Sequence, residues 1–185
     1  MPRRIIEFDS PDRFVAGAVG QPGQRTFFLQ ASQAGSVVSV VLEKAQIAAL
    51  AERLAALLAE LRDRGIDVAG GSAGSARDDA PLAEPIAGLF RVGMLTLAWD
   101  GTSRRVVIEA RELVEGDDEP DDEDEDGDAG DGPDTVRVLL APHSAAAFAE
   151  RAAQVVAAGR PPCPVCGLPL NPEGHICPRR NGYIH

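Results

Sequence analysis

The residues best able to do chemistry lie at the carboxyl end, in the run Cys163-Pro-Val-Cys166-Gly167-Leu-Pro-Leu-Asn-Pro-Glu-Gly-His175-Ile-Cys177. Two thiols separated by two residues, with glycine directly after the second, form a zinc knuckle. The tight turn aims backbone amides at the sulfurs, and Gly167 accepts the positive φ that the turn needs. His175 and Cys177 are two apart, so in an extended stretch both side chains leave one face and reach one ion. Three sulfurs and one nitrogen make a closed tetrahedral set, the donor pattern of structural zinc. His185 is the competing nitrogen ligand, but at the very end of the sequence it must overcome fraying. A peptide this small buries almost no core, so metal binding supplies most of its folding free energy, of order 10 kcal/mol in isolated zinc peptides.

Two other uses of the same residues fit less well. A redox Cys-x-x-Cys pair sits at the start of a helix in a βαβ context, and Gly167 with the flanking prolines precludes a helix here. The Pro-Cys-x-x-Cys half of zinc deaminases also requires His-x-Glu upstream, where this sequence has His143-Ser-Ala. Glu173 is near the ligands but nothing supports it as a base, and four protein donors leave no open position for water. No catalytic residue is expected.

The remaining candidates are weaker. His143 reads as an exposed first-turn helix residue, with no carboxylate or nucleophile placed beside it. Arg25, Arg104 and Arg105 could line a groove between two halves of the body and bind an anion; as bland charges at hairpin ends they would face solvent. Arg179, Arg180 and Tyr183 form a small basic and aromatic patch, a thin basis for nucleic-acid affinity. No glycine-rich phosphate loop is present, and Gly20-Gln-Pro-Gly23 reads as a turn.

These residues need elements to position them. β-branched and aromatic runs bounded by Gly and Pro predict strands at 3–8, 14–19, 25–30 and 36–42. Ile47, Leu50, Leu54, Leu57, Leu58 and Leu61 then recur at three- and four-residue steps, an amphipathic helix over 44–64 of about six turns ended by Gly65. Residues 70–85, rich in Gly, Ser, Ala and Asp, read as a linker or mobile loop. Strands follow at 90–98, 105–114 and 135–140, with a hairpin connection from Trp99 to Arg104. A second helix runs over 142–158, with Pro142 in its first turn and Gly159 at its end.

The two halves align. Val40 to Arg53 matches Val138 to Arg151, with Leu50 against Phe148, and Arg25 to Ala31 resembles Arg104 to Ala110. The expected fold is therefore α+β: two β-β-β-α repeats forming a mostly antiparallel sheet with helices packed on it, plus a C-terminal zinc knuckle. The units are 1–69, a linker 70–85, 86–159, and the tail 160–185.

Composition sets the outer limits. The 185 residues suit one compact body with a small appendage, and aromatics at 4% leave the core to Val, Leu, Ile and Ala. The net charge of −11 is local: 13 of the 29 acidic residues lie between Glu115 and Asp134, leaving 16 against 18 basic residues elsewhere. The folded part is close to neutral, which excludes a strongly basic nucleic-acid binder. Residues 115–134 read as a disordered, solvated insert. As an EF-hand loop starting at Asp122, they would place Pro133 where the bidentate Glu belongs. No apolar leader and no run of ~20 apolar residues is present. An odd number of cysteines clustered at one end suits a reducing, cytoplasmic setting.

Asp12-Arg-Phe-Val-Ala-Gly17, Gly20-Gln-Pro-Gly-Gln-Arg-Thr-Phe-Phe-Leu-Gln30, Cys163-Pro-Val-Cys-Gly167 and Gly174-His-Ile-Cys-Pro-Arg-Arg-Asn-Gly-Tyr183 together resemble an actinobacterial family of uncharacterised repeat proteins, a domain of unknown function. The resemblance spans essentially the whole chain. It implies a cytosolic actinobacterial protein with a metal-binding tail, and it transfers no activity. The function expected is a non-enzymatic adaptor or regulator that contacts a cytosolic protein partner and uses zinc structurally. The alternatives are an enzyme or small-anion binder using the groove between the repeats, and nucleic-acid contact through the tail.

Overall fold

The computed structural model describes residues 3–68, 78–114, 132–159, 163–168, 170 and 174–179. Residues 115–131 of the expected insert 115–134, residues 70–77 of the expected linker, residue 69, and Arg180, Tyr183 and His185 lie outside the described residues.

Among the described residues, seven strands and two helices follow in the order β1 (Ile5–Asp9), β2 (Arg13–Val19), β3 (Thr26–Gln33), β4 (Ser36–Leu42), α1 (Lys44–Asp63), β5 (Gly88–Asp100), β6 (Arg105–Glu112), β7 (Thr135–Leu140) and α2 (Pro142–Ala157). They form a mixed α+β fold on one sheet of order β1-β7-β6-β5-β4-β3-β2. β2-β3-β4 and β5-β6-β7 are antiparallel meanders, joined where β4 runs parallel to β5. β1 does not join the strands that follow it in sequence. It crosses to the far edge and pairs parallel with β7, Ile5 opposite Thr135 and Asp9 opposite Leu139. Asp134 fastens that edge, accepting from the Arg4 amide at 3.0 Å and from its guanidinium at 2.6 and 3.1 Å.

The sheet curls, bringing β1 against β3, and Gln33 Nε2 donates to the Asp9 carbonyl at 2.9 Å. Its inner faces meet around Phe14, Leu29, Val40, Ile108 and Val138. Alternation writes this directly: Val106, Ile108 and Ala110 on β6, and Val136, Val138 and Leu140 on β7, are buried, while Val107, Glu109, Arg137 and Leu139 between them are half-buried. On β5 the alternation breaks. Phe90 and Val92 face inward, the register shifts between Val92 and Met94, and Leu95, Leu97 and Trp99 take over the inner face. Such a bulge flips side-chain parity for the rest of the strand.

Both helices close the curl and pack on one another, α1 against β5 and α2 against β2, β6 and β7. α1 buries Ile47, Leu50, Ala51, Leu54, Leu58 and Leu61, the stripe its periodicity predicts, and ends at left-handed Gly65. Gln46 ties its first turn down: Oε1 accepts from the Glu43 amide at 2.8 Å, and Nε2 reaches the Val92 carbonyl at 3.1 Å. α2 buries Ala145, Phe148, Ala149 and Ala152, and Phe148 stacks on Phe14 with centroids 4.5 Å apart.

The second half of the expected linker is not a free tether. Leu82 and Ile86 pack on the outer face of the sheet against Val15, Phe28 and Val41. Gln30, buried on β3, pairs with both backbone groups of Ala83, accepting from its amide at 2.7 Å and donating to its carbonyl at 3.0 Å. Leu82, Pro81 and Ile86 give this segment an apolar side that composition alone averages away.

Candidate metal centre

Cys163, Cys166, His175 and Cys177 come together, with ligand atoms all within 4.8 Å of one another. The first turn has the hydrogen bonding its sequence implies. The Gly167 amide donates to the Cys163 carbonyl at 2.8 Å, and the Cys163 amide to the Leu168 carbonyl at 2.7 Å. Gly167 sits at φ 76°, with nothing within 4 Å of where a Cβ would stand. The demand for glycine is thus conformational rather than steric. Within the turn, the Val165 amide points at Cys163 Sγ, 3.4 Å away.

The backbone amides of Cys166 and Val165 hold the Cys163 thiol below its usual range, while burial pushes the Cys166 thiol up. All three thiols are free, and Cys163 and Cys177 are buried. His175 Nε2 is 3.2 Å from Cys166 Sγ, and its Nδ1 is buried with no hydrogen-bond partner among the described residues. A buried, unpaired imidazole nitrogen beside three sulfurs costs free energy unless an ion takes it or turns the ring. Ile176, between the two ligands, is 80% exposed, so His175 and Cys177 turn inward from one extended strand as their spacing implies. The donor set therefore fits a metal ion and could hold one.

The structure does not bring Arg25 together with Arg104 and Arg105. Arg25 precedes β3 at the end of the sheet where Phe27 pairs Leu42, Val41 pairs Arg91 and Val92 pairs Glu112. Arg105 pairs Asp100 at the opposite end. Arg25 Nη1 donates to the Ala158 carbonyl at 2.7 Å, Arg105 contacts Ser10 Oγ, and Arg104 occupies the hairpin with φ 54°. Among the described residues these three therefore lie at different ends of the sheet, because strand direction, which sequence similarity does not carry, separates them. His143 is exposed in the first turn of α2. Arg179 Nη1 donates to the Val165 carbonyl at 3.3 Å, so this arginine braces the first ligand turn.

A charged cluster that the sequence analysis does not single out joins β2, α2 and residues 78–81. Arg13 donates through Nε and Nη2 to the Asp78 carboxylate at 2.5 and 3.0 Å. Arg151 meets Asp78 Oδ1 at 3.2 Å and the Ala80 carbonyl at 2.7 Å. Arg13's hydrogen bond holds the Asp78 carboxyl below the usual carboxylate range, against partial burial and with help from the Ala80 amide and Arg151. A cleft of about 260 Å³ opens beside the cluster, between Phe14 and α2. The two arginines come from distant parts of the chain, and only an apolar signal at Leu82 could have hinted that this segment folds back.

Among the described residues, no helix is long and apolar enough to cross a membrane. A family model described as a protein of unknown function (DUF3090) matches residues 6–177. No curated protein and no solved structure matches the chain.

Proposed function

The chain belongs to this family of proteins of unknown function, and from that premise we propose that it is a non-enzymatic cytosolic adaptor or regulatory protein whose tail is built on structural zinc and forms part of a surface for another protein. The observation that carries this reading is a four-donor cluster, Cys163, Cys166, His175 and Cys177, ringed by exposed aliphatic side chains. Bond lengths of about 2.3 Å to sulfur and about 2.0 Å to nitrogen give a zinc tetrahedron with edges of about 3.5–3.8 Å. Ligand atoms within 4.8 Å of one another, with His175 Nε2 and Cys166 Sγ at 3.2 Å, need only shifts of about 1 Å or less to meet it. Four protein donors leave zinc no position for substrate or water, which favours a structural role. Val165, Leu168 and Ile176 are exposed on the two ligand turns. An ion would thus fix the geometry of three apolar groups that a metal-free peptide leaves unordered.

The body is read as a duplication. Supporting this, the four buried positions of α2 fall on buried positions of α1 when the helices are laid together: Ala145 on Ile47, Phe148 on Leu50, Ala149 on Ala51, and Ala152 on Leu54. The same holds for Phe27, Leu29 and Ala31 against Val106, Ile108 and Ala110. Each meander leads into one helix, so each half would leave an apolar face open without the other. A cytoplasmic, reducing address follows from three thiols gathered for metal rather than for disulfides, and an actinobacterial origin from the resemblance of the motifs.

The test is affinity capture of the full chain with metal analysis of the eluate. One equivalent of zinc is expected, together with bound protein that is lost on Cys163→Ser. Undiminished recovery of the same protein by the metal-free variant would overturn the role given to the tail.

A further inference from the structure

Arg25 is separated from the arginines it was expected to join, but it is not isolated. Between the turn that links β2 to β3, the start of α1 and the end of α2 lies a cleft of about 200 Å³, lined by Pro22, Gly23, Arg25, Phe27, Lys44 and Gly159. Two of these six are cationic and none is acidic. The Lys44 ammonium lies against Gly159, where a Cβ would stand 2.9 Å from Nζ. No hydrogen bond or ion pair engages Lys44 among the described residues, and Arg25 uses one N–H, on the Ala158 carbonyl.

Both cations also face the carboxyl end of α2, which has no basic residue in its own last turn. That role does not exhaust them. A helix C-terminus carries roughly half a negative charge, so two full positive charges converging on it leave the cleft with an excess of about +1.5 by that measure. A guanidinium fork and a compact ammonium, approaching from different segments, are the usual pair of donors for a tetrahedral oxyanion. The apolar lining from Pro22 and Phe27 gives room for an organic substituent beside it.

We propose that this cleft binds a phosphate group, free or carried on a small ester, through Arg25 and Lys44. The site is separate from the metal centre and does not depend on the role assigned to it.

The experiment is a titration of the full-length protein with inorganic phosphate at constant ionic strength, followed through backbone amide resonances. Saturable shifts are expected at Gly23, Lys44 and Gly159, with at least a tenfold weaker apparent affinity in Lys44→Gln. Arg25→Lys, which keeps the charge but loses the fork, is expected to fall between the two. Phenyl phosphate binding more tightly than inorganic phosphate assigns the site to an ester, and equal binding assigns it to the free anion. Shifts no larger than chloride produces at the same ionic strength, or equal affinity in wild type and Lys44→Gln, would overturn the proposal and leave the two cations as partners of the α2 terminus alone.

Discussion

Arg151 Nε donates to the backbone carbonyl of Ala16 at 2.9 Å, joining the last helix to an edge strand formed 135 residues earlier. Ala16 is fully buried, and among the described residues β2 has a strand on one side only, so an edge carbonyl there has no ladder partner of its own. The same guanidinium contacts the Asp78 carbonyl and holds the Ala80 carbonyl at 2.7 Å. One side chain therefore satisfies acceptors from β2 and from the 78–81 segment, and burial depresses its own pKa in return. Arg151→Ala leaves those acceptors unpaired and is expected to destabilise the protein by about 1–3 kcal/mol, the cost of leaving one acceptor on a buried residue, the Ala16 carbonyl, unsatisfied. Urea denaturation measures it. Arg151→Lys, a point charge without the fork, should restore only part of the loss; full restoration would mean that charge alone matters here.

Asp78 makes the same cluster sensitive to acid. Its folded-state pKa is depressed, chiefly by the Arg13 hydrogen bond, so it contributes stability above its unfolded value of 3.8 and loses it as pH falls through the lower folded value. Wild type should therefore exceed Asp78→Asn in stability at pH 6, and the gap should narrow as pH drops below 4. Denaturation midpoints across pH 2.5–6 decide it, on the scale of about one to two pH units over which a shifted carboxylate titrates. A gap that is constant through this range would exclude ionisation of Asp78 as its origin.

The bulge in β5 depends on Gly93. A Cβ there would approach the Leu113 backbone Cα at 2.9 Å, and backbone cannot swing aside as a side-chain tip can. Leu113 is held in place by its amide, which donates to the Arg91 carbonyl at 2.8 Å. Gly93→Ala is expected to cost about 1–3 kcal/mol, as overpacking does. At Gly17 the nearest atoms to an added Cβ are the branched end of the Leu82 side chain, at 2.6–2.8 Å, which can turn where backbone cannot, so Gly17→Ala should cost less. Thermal denaturation of the two variants side by side tests the ranking.

Local pattern carried most of the elements and few of the long-range relations. α1 was legible because six apolar residues keep one helical stripe from Ile47 to Leu61, and β4 and β7 because each is a short β-branched run ended by a helix start. β5 extends beyond the expected 90–98 to Gly88–Asp100, since the parity flip at Gly93 destroys the period-two signal within it. The parallel pairing of β1 with β7 has no local signature: Ile5, Ile6 and Phe8 say that a strand exists, not which edge it joins. Arg13 and Arg151 escaped for the same reason, because each is unremarkable alone and gains meaning only through Asp78. The Cys163, Cys166, His175 and Cys177 cluster was legible since a donor set of this kind depends on residue type and short spacing, both of which are local.

That locality makes Gly167 the sharpest probe of the metal centre. The turn after Cys166 needs φ 76°, and a Cβ there meets open space, so Gly167→Ala isolates the backbone penalty, roughly 1–2 kcal/mol for an ordinary L-residue in the left-handed region. If metal binding and folding of the tail are one event, that penalty comes directly out of metal affinity, a loss of roughly tenfold at about 1.4 kcal/mol per decade. Competition with a chromogenic chelator reads this, and Gly167→Asn, better tolerated in that conformation, should lose less. Stripping the metal should abolish exchange protection at the Gly167 and Cys163 amides, whose partners lie within the ligand turn, and leave the far-ultraviolet signal of the sheet and helices in place. Equal chelator competition by wild type, Gly167→Ala and Gly167→Asn would separate metal affinity from the turn and show that the ligands converge without it.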